Sequence, residues 1–311
     1  MKILVTGANG QLGSEFRFLN KNLRDEFKDL DFSFADKNTL DICDESAVQK
    51  AVQGFDTIIN CAAYTAVDKA QSEQDKAFLV NEIGTLNLAK ACKIHNVRLV
   101  YISTDYVFDG KSHKPLNEND VTAPLGIYGE SKLAGERAIL SANLNHSCTI
   151  RTSWLWSEFG ANFVKTIARL ANERDEISVV ADQIGSPTNA RDLAMAICKV
   201  LPKLGTLEST QIFHYANEGV ASWFDFAFEI VRILGAKCEV KPISTSEYLA
   251  MNSGKIIAPR PFYSVLDKSK IKTHFGLKIL HWRESLAGAN LANLTNLAND
   301  TLQSLQKKDS K

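Results

Sequence analysis

The stretch KILVTGANGQLG, residues 2–13, decides the fold. Lys2 to Thr6 is a short apolar run with the length and β-branched content of a buried strand. Gly7, Gly10 and Gly13 follow in a G-x-x-G-x-x-G spacing, and a helical segment then runs to about Leu23. Strand, glycine turn and helix open a dinucleotide-binding βαβ unit. The glycines let backbone approach a pyrophosphate, and the helix N-terminus offers free N–H groups and a positive dipole end. Gly7, Gly10, Gln11, Leu12 and Gly13 are therefore cofactor-binding candidates. The spacing is not G-x-G-x-x-G, so a plain glycine-rich turn stands as the competing reading.

Downstream segments repeat the alternation. Phe32 to Ala35 reads as a second strand ending in Asp36, an acid about 20 residues beyond the glycines. Such an acid either accepts hydrogen bonds from the adenosine ribose, which favours NADH over NADPH, or is a solvated turn residue. Asp41-Ile42 precedes a helix opening at Asp44 and offers backbone to the adenine edge. Asp56 to Asn60 is the third strand, followed by Cys61-Ala62-Ala63-Tyr64-Thr65, where small residues serve either a cofactor or tight packing. Ala77 to His95 reads as one long amphipathic helix, with Asn81 in it either a surface residue or a structural hydrogen bonder. Val97 to Ile102 is the fourth strand and Ser147 to Thr152 the fifth. Strands and helices alternating in this way predict a doubly wound parallel α/β sheet.

Chemistry concentrates in Ser103 to Glu136. Thr104 and Asp105 sit at the carboxyl end of a parallel strand, where open α/β sheets bind ligands. Tyr128 and Lys132 are four apart, so a helix puts both on one face. Poising a tyrosine near neutrality takes about 3 pKa units, roughly 4 kcal/mol. A cation about 4 Å away at an effective dielectric of about 20 supplies that much. Lys132 is thus expected to make Tyr128 a usable acid, with Thr104 hydrogen-bonding the same reacting oxygen. By chance alone, a Tyr-x-x-x-Lys arises on the order of half a time in a chain of this kind; its place after a strand-end Ser-Thr-Asp gives it weight. Trp154, again at a strand end, either stacks on a sugar or base or caps the core. Arg260 is a candidate phosphate contact through its bidentate guanidinium, with a surface salt bridge as the alternative.

Composition excludes other classes. With 311 residues and zero formal net charge, the chain has no electrostatic footprint for nucleic acid. Six cysteines form no C-x-x-C and six histidines no H-x-x-H, which predicts reduced thiols and no metal site. Met1-Lys2 leads directly into strand residues and no apolar run reaches spanning length, so neither a signal peptide nor a membrane span is expected, and the location is expected to be cytoplasmic.

These motifs resemble the extended short-chain dehydrogenase/reductases, and within them the branch that reduces nucleotide-linked 4-keto-6-deoxysugars. The resemblance rests on Gly7 to Gly13, Asn60 to Ala70, Ser103 to Gly110, Tyr128-Gly129 with Ser131 to Glu136, Arg151 to Trp154, Asp182-Gln183 with Gly185, Pro187 and Thr188, and Arg260-Pro261 with Ser264 and Leu266. It implies a Rossmann-type sheet and NAD(P)H-dependent reduction of dTDP-4-dehydro-L-rhamnose to dTDP-L-rhamnose. Thr104, Tyr128 and Lys132 would be catalytic. Cofactor contacts would fall on Gly10, Gln11, Leu12, Asp36, Asp41, Ile42, Ala63, Tyr64, Thr65 and Ile102. Substrate contacts would fall on Thr104, Asp105 and Trp154. Related dehydratases place Asp-Glu after the Thr; here Tyr106 follows Asp105, which argues for simple reduction. A magnesium-bridged dimer, formed by some members, could use Glu15, but Ala190-Arg191 is not acidic, which argues against a metal-linked dimer and leaves monomer or homodimer open. Two alternatives remain: another 4-keto-6-deoxysugar as substrate, or a non-catalytic NADP-binding subunit like the regulatory one of methionine adenosyltransferase. The expected organisation is a dinucleotide-binding domain over residues 1–155, with a return near 189–217. A smaller α/β substrate-binding part covers 156–188 and 218–290, and a helix with a polar tail covers 291–311.

Overall fold

The computed structural model describes residues 1–23 and 25–289; the helix and tail expected over 291–311 fall outside them. The first half runs β1 (Lys2–Thr6), α1 (Gln11–Asn22), β2 (Asp31–Ala35), α2 (Glu45–Ala51), β3 (Thr57–Asn60), α3 (Val67–Ala70), α4 (Gln74–Phe78), α5 (Thr85–His95), β4 (Arg98–Thr104), α6 (Ile127–Ala142) and β5 (Cys148–Thr152). The second half runs β6 (Leu155–Trp156), α7 (Phe163–Glu173), β7 (Glu176–Val180), β8 (Ile184–Gly185), β9 (Thr188–Asn189), α8 (Ala190–Val200), β10 (Gln211–His214), β11 (Ala221–Ser222), α9 (Trp223–Leu234), β12 (Glu239–Ile243), α10 (Thr245–Met251), α11 (Ser269–Phe275) and α12 (Trp282–Gly288).

Six strands form one parallel sheet in the order β10-β5-β4-β3-β1-β2. Side-chain alternation loads both of its faces. Ile3, Val5, Ile59, Val100 and Ile150 meet Leu12 and Phe16 of α1 and Leu193 and Ile197 of α8. Leu4, Ile58, Leu99 and Tyr101 meet Val48 of α2, Leu88 of α5 and Ile139 of α6. Each such aliphatic side chain contributes about 1.5–3 kcal/mol when fully buried. A second core gathers Trp156, Val164 and Ile167 with Phe226, Ile230, Trp282 and Leu286. Ser222 caps α9 in a capping box with Asp225, as its sequence position predicts for the cap.

Two expectations change. β4 runs two residues further than its apolar run: Ser103 and Thr104 still pair with Arg151 and Thr152 of β5. The helix expected over Ala77–His95 is interrupted by a π-helical stretch, Leu79–Gly84, between α4 and α5. The wider turn faces Asn81 inward, where its side chain accepts from Tyr64 N at 2.9 Å and donates to Tyr64 O at 3.1 Å and Ser131 Oγ at 3.0 Å. Satisfying those buried groups outweighs regular helix geometry.

Candidate active site

The strand order reverses at β1, between β2 and β3, and open α/β sheets bind ligands outside the strand ends at such a point. There Gly7 adopts φ 63°, and a Cβ on it would lie 2.5 Å from Ala62 N. Gly13 serves packing instead, because a Cβ there would meet the Gly7 carbonyl at 2.5 Å. A cavity of about 390 Å³ follows the turn, lined by Gly7, Gly10, Asp36, Lys37, Asp41, Ile42, Ala62, Ala63 and Tyr64. The Asp36 carboxylate accepts from Asn9 Nδ2 at 2.7 Å and from the N–H groups of Asn38 and Thr39 at 3.0 Å. Those bonds, Thr39 first, hold it below the usual carboxylate range.

Gly10, Cys61 and Ala63 also line a second cavity, of about 520 Å³. Gln11, Leu12, Thr65, Ile102, Thr104, Asp105, Tyr128, Lys132 and Trp154 stand on its walls. Every cofactor candidate from the sequence except Gly13 thus borders one of these two neighbouring cavities. Thr104 ends β4 and its hydroxyl donates to Asp105 Oδ1 at 3.1 Å while accepting from Tyr106 N at 3.2 Å. Tyr128 lies in the first turn of α6, its ring edge-on to Tyr106 at 5.5 Å. Burial pushes Asp105 up to about 6, with the Ser264 and Thr104 hydroxyls working the other way.

The electrostatics of the Tyr–Lys pair correct the sequence expectation. Burial, then the Asp105 charge, raises Tyr128 to about 12; the Thr104 hydroxyl beside it works the other way. Lys132 does not poise it near neutrality. The lysine reaches across to β4, where Nζ donates to the Ile102 carbonyl at 2.7 Å and stands 4.1 Å over the Tyr101 ring. Burial pulls Lys132 down to about 7, against the charge of Glu136.

Trp154 lines the second cavity at φ 47°, stacked at 3.6 Å and 8° on Trp223. It belongs to the wall and to the second core at once. Arg260 does not line either cavity. It donates from Nη1 and Nη2 to Asp68 at 2.8 and 3.1 Å, the salt-bridge alternative of its sequence reading. Glu15 is not free at the surface: it is 1% exposed, accepting from Ser157 Oγ at 2.6 Å and Arg191 Nε at 2.9 Å. Sequence reading missed Gly160 and Ala161 on the wall. The small pair just before Asn162, the N-cap of α7, is the signal that could have found them.

The residues present fit a nicotinamide dinucleotide. Gly10 is the N-cap of α1 and brings no side chain to its first N–H groups, as an anion requires. Among the described residues, Gln11 Oε1 and Thr152 Oγ1 are buried on the second cavity without a hydrogen-bond partner. Such groups call for a polar occupant.

A parallel doubly wound sheet, a glycine turn at its reversal point and a Thr–Tyr–Lys set at a neighbouring strand end define a Rossmann-type nicotinamide-dependent oxidoreductase. The model of the RmlD substrate binding domain family matches residues 1–294, so the chain belongs to that family. It is 40% identical over 296 residues to a dTDP-4-dehydrorhamnose reductase of Aggregatibacter actinomycetemcomitans, covering 92% of this chain and 97% of the relative. Among solved structures it is similar to the dTDP-4-dehydrorhamnose reductase of Bacillus anthracis in complex with NADP, with TM-score 0.82, 42% identity and coverage of 92% and 97%. The ortholog from Clostridium acetobutylicum gives TM-score 0.83, 39% identity and coverage of 97% and 100%.

Proposed function

We propose that this chain reduces the 4-keto group of dTDP-4-dehydro-L-rhamnose to give dTDP-L-rhamnose, the last step in making that sugar donor, with NAD(P)H. The observation that carries the reading is the meeting of Thr104, Tyr128 and Lys132 on a cavity that shares Gly10, Cys61 and Ala63 with the glycine-turn groove. The family membership supports it along nearly the whole chain.

The bound dihydronicotinamide supplies a hydride. The chain's own part is to hold the carbonyl and move one proton. Thr104, its hydroxyl proton turned from Asp105 to the substrate, and Tyr128 hydrogen-bond the keto oxygen, and Tyr128 gives it the phenolic proton as it becomes an alkoxide. A phenol near 12 stays protonated at working pH and is still far more acidic than a secondary alcohol. Lys132 gives one of its three donors to Ile102, leaving two to hold a ribose hydroxyl of the cofactor. Asp105 and Trp154 hold the sugar, and the second core forms the substrate-binding part. Asp36 favours NADH, since its carboxylate repels a 2′-phosphate, although Lys37 on the same cavity softens that preference. The reaction needs no metal, and we place the protein in the cytoplasm as a monomer or homodimer.

The test is loss of NADH absorbance with dTDP-4-dehydro-L-rhamnose generated by the upstream dehydratase and epimerase, beside the same run with NADPH. Oxidation that requires the epimerase and yields dTDP-L-rhamnose is expected. Cofactor binding without oxidation would overturn the substrate assignment.

A further inference from the structure

From Ser103, itself on the cavity wall, a buried polar cluster runs inward that this chemistry leaves unused. Ser103 Oγ donates to Glu136 Oε1 at 2.5 Å. Arg151 grips the same carboxylate, Nε to Oε1 at 2.9 Å and Nη2 to Oε2 at 2.7 Å. Ser103, Glu136 and Arg151 are 3%, 1% and 2% exposed. Ser103 and Arg151 face each other in the β4–β5 register, so both reach one carboxylate from α6. Arg151 Nη1 stands 3.4 Å from His214 Nε2, while His214 Nδ1 is 3.0 Å from the Leu116 carbonyl. That geometry suits a neutral imidazole donating from Nδ1, and burial holds it neutral.

Stability alone is a weak reason for this cluster. Buried ion pairs rarely stabilise a fold more than apolar residues of similar volume would. Its position is more telling. Ser103 sits between Ile102, whose carbonyl holds Lys132, and Thr104, which lines the cavity. Glu136 follows Lys132 by one turn of α6, and its oxygens are already taken by Ser103 and Arg151, so it acts on the ammonium through space.

We propose that Glu136 is a positioning residue for the reduction: through Ser103 it pins the end of β4, with the Ile102 carbonyl that holds Lys132, to α6, and it sets a buried carboxylate one helical turn from the Lys132 ammonium. The inference rests on the reading of Tyr128 and Lys132 given above. The groups facing Lys132 are Glu136 from α6, Tyr101 from β4 and Cys61 after β3, with Tyr128 one turn earlier on α6 and Arg151 of β5 behind Glu136. Burial keeps the Cys61 thiol protonated, so Glu136 is the anion that opposes the desolvation of Lys132.

Glu136→Gln keeps an acceptor for Ser103 and removes the charge. Lys132 then loses its proton at lower pH. The alkaline limb of kcat against pH is expected to move down by about one unit, a loss of about tenfold on that side of the profile. A folded Glu136→Gln protein with its limb in place would overturn the electrostatic part. Ser103→Ala leaves every buried charge and decides the clamp even if the first variant fails to fold. Its kcat is expected to fall about tenfold with the limb and both KM values unmoved, whereas a merely structural loosening of the strand would raise KM as well. Parent kcat in Ser103→Ala overturns the clamp. Glu136→Asp should restore the limb. Tyr128→Phe is the control: turnover there at parent rates sinks the proton-transfer reading itself, whereas inactivity leaves the Glu136 outcomes to stand or fall alone.

Discussion

Lys132 carries an ammonium into a place with 2% exposure and one carbonyl acceptor. Its folded pKa, about 7, lies below the ordinary 10.5. Between those values the unfolded chain binds more protons than the folded one, so stability rises with pH across that window. Below about pH 7 the full penalty of the buried charge is present. Lys132→Met keeps the volume and removes the charge, so it should abolish turnover yet stabilise the fold by about 1–4 kcal/mol near neutrality. That gain should shrink as pH climbs toward 10.5. Thermal unfolding of both proteins at several pH values checks it; a variant that melts earlier at pH 7 would mean that the carbonyl and the Tyr101 ring repay the desolvation. Asp36 gives a residue-scale prediction of a different kind. Its carboxylate is fixed by Asn9, Asn38 and Thr39 at the rim of the first cavity, so it cannot swing away from a 2′-phosphate. Asp36→Asn should raise the NADPH-to-NADH ratio of kcat/KM on the order of tenfold. An unchanged ratio would remove Asp36 from cofactor choice.

At the scale of elements, α6 and the short turn at Asp105–Val107 meet through Gly129. A Cβ on Gly129 would collide with the Tyr106 carbonyl oxygen and lie 3.0 Å from Pro124 Cβ. The first obstacle is backbone and cannot rotate aside, so Gly129→Ala must push the start of α6 away from β4. Overpacking of this sort costs about 1–3 kcal/mol. Since Tyr128 precedes Gly129 and Thr104 ends β4, the same shift separates the two donors to the keto oxygen. We expect kcat to fall at least tenfold with cofactor affinity little changed; a variant with parent kcat would show that the contact is slack. How far the elements were legible follows from the range of the forces that set them. β1, its glycine turn and α1 are specified by neighbours in sequence, and so were read correctly from Lys2 to Gly13. The Ser222 cap was legible for the same reason. The π-helical stretch was not, because Asn81 turns inward to serve Tyr64 and Ser131, groups 17 and 50 residues away. Nor was the end of β4, where polar Ser103 and Thr104 are kept in the strand by pairing with β5. The i,i+4 spacing of Tyr128 and Lys132 showed that they share a helix face, but not that Lys132 would spend its hydrogen bond on Ile102.

Among the described residues, the sheet carries a hydrophobic core on each face and a further core gathers around Trp156. Trp154 joins the cavity wall to that further core, stacking on Trp223 beside it. A second join is polar and spans 192 residues: Arg260 holds Asp68 of α3, and Ala258 N donates to the same carboxylate at 2.9 Å. Val67, the neighbour of Asp68, lines the cavity. Magnitudes separate what this pair does for stability from what it does for the site. Its side chains are 25% and 45% exposed, and ion pairs so open to water contribute about 0–1 kcal/mol. Arg260→Met should therefore lower the melting temperature by no more than a few degrees. The segment around Ala258 to Pro261 would nevertheless lose its anchor to the cavity wall. The expected result is a KM for the nucleotide sugar raised on the order of tenfold, with kcat and cofactor affinity near those of the parent. Asp68→Asn should reproduce it, and the double variant should be no worse than either single one, because both remove the same contact. If instead Arg260→Met is worse than Asp68→Asn, and the two effects multiply when combined, the guanidinium leaves Asp68 to meet the substrate's phosphates, and the ion pair is only its resting partner.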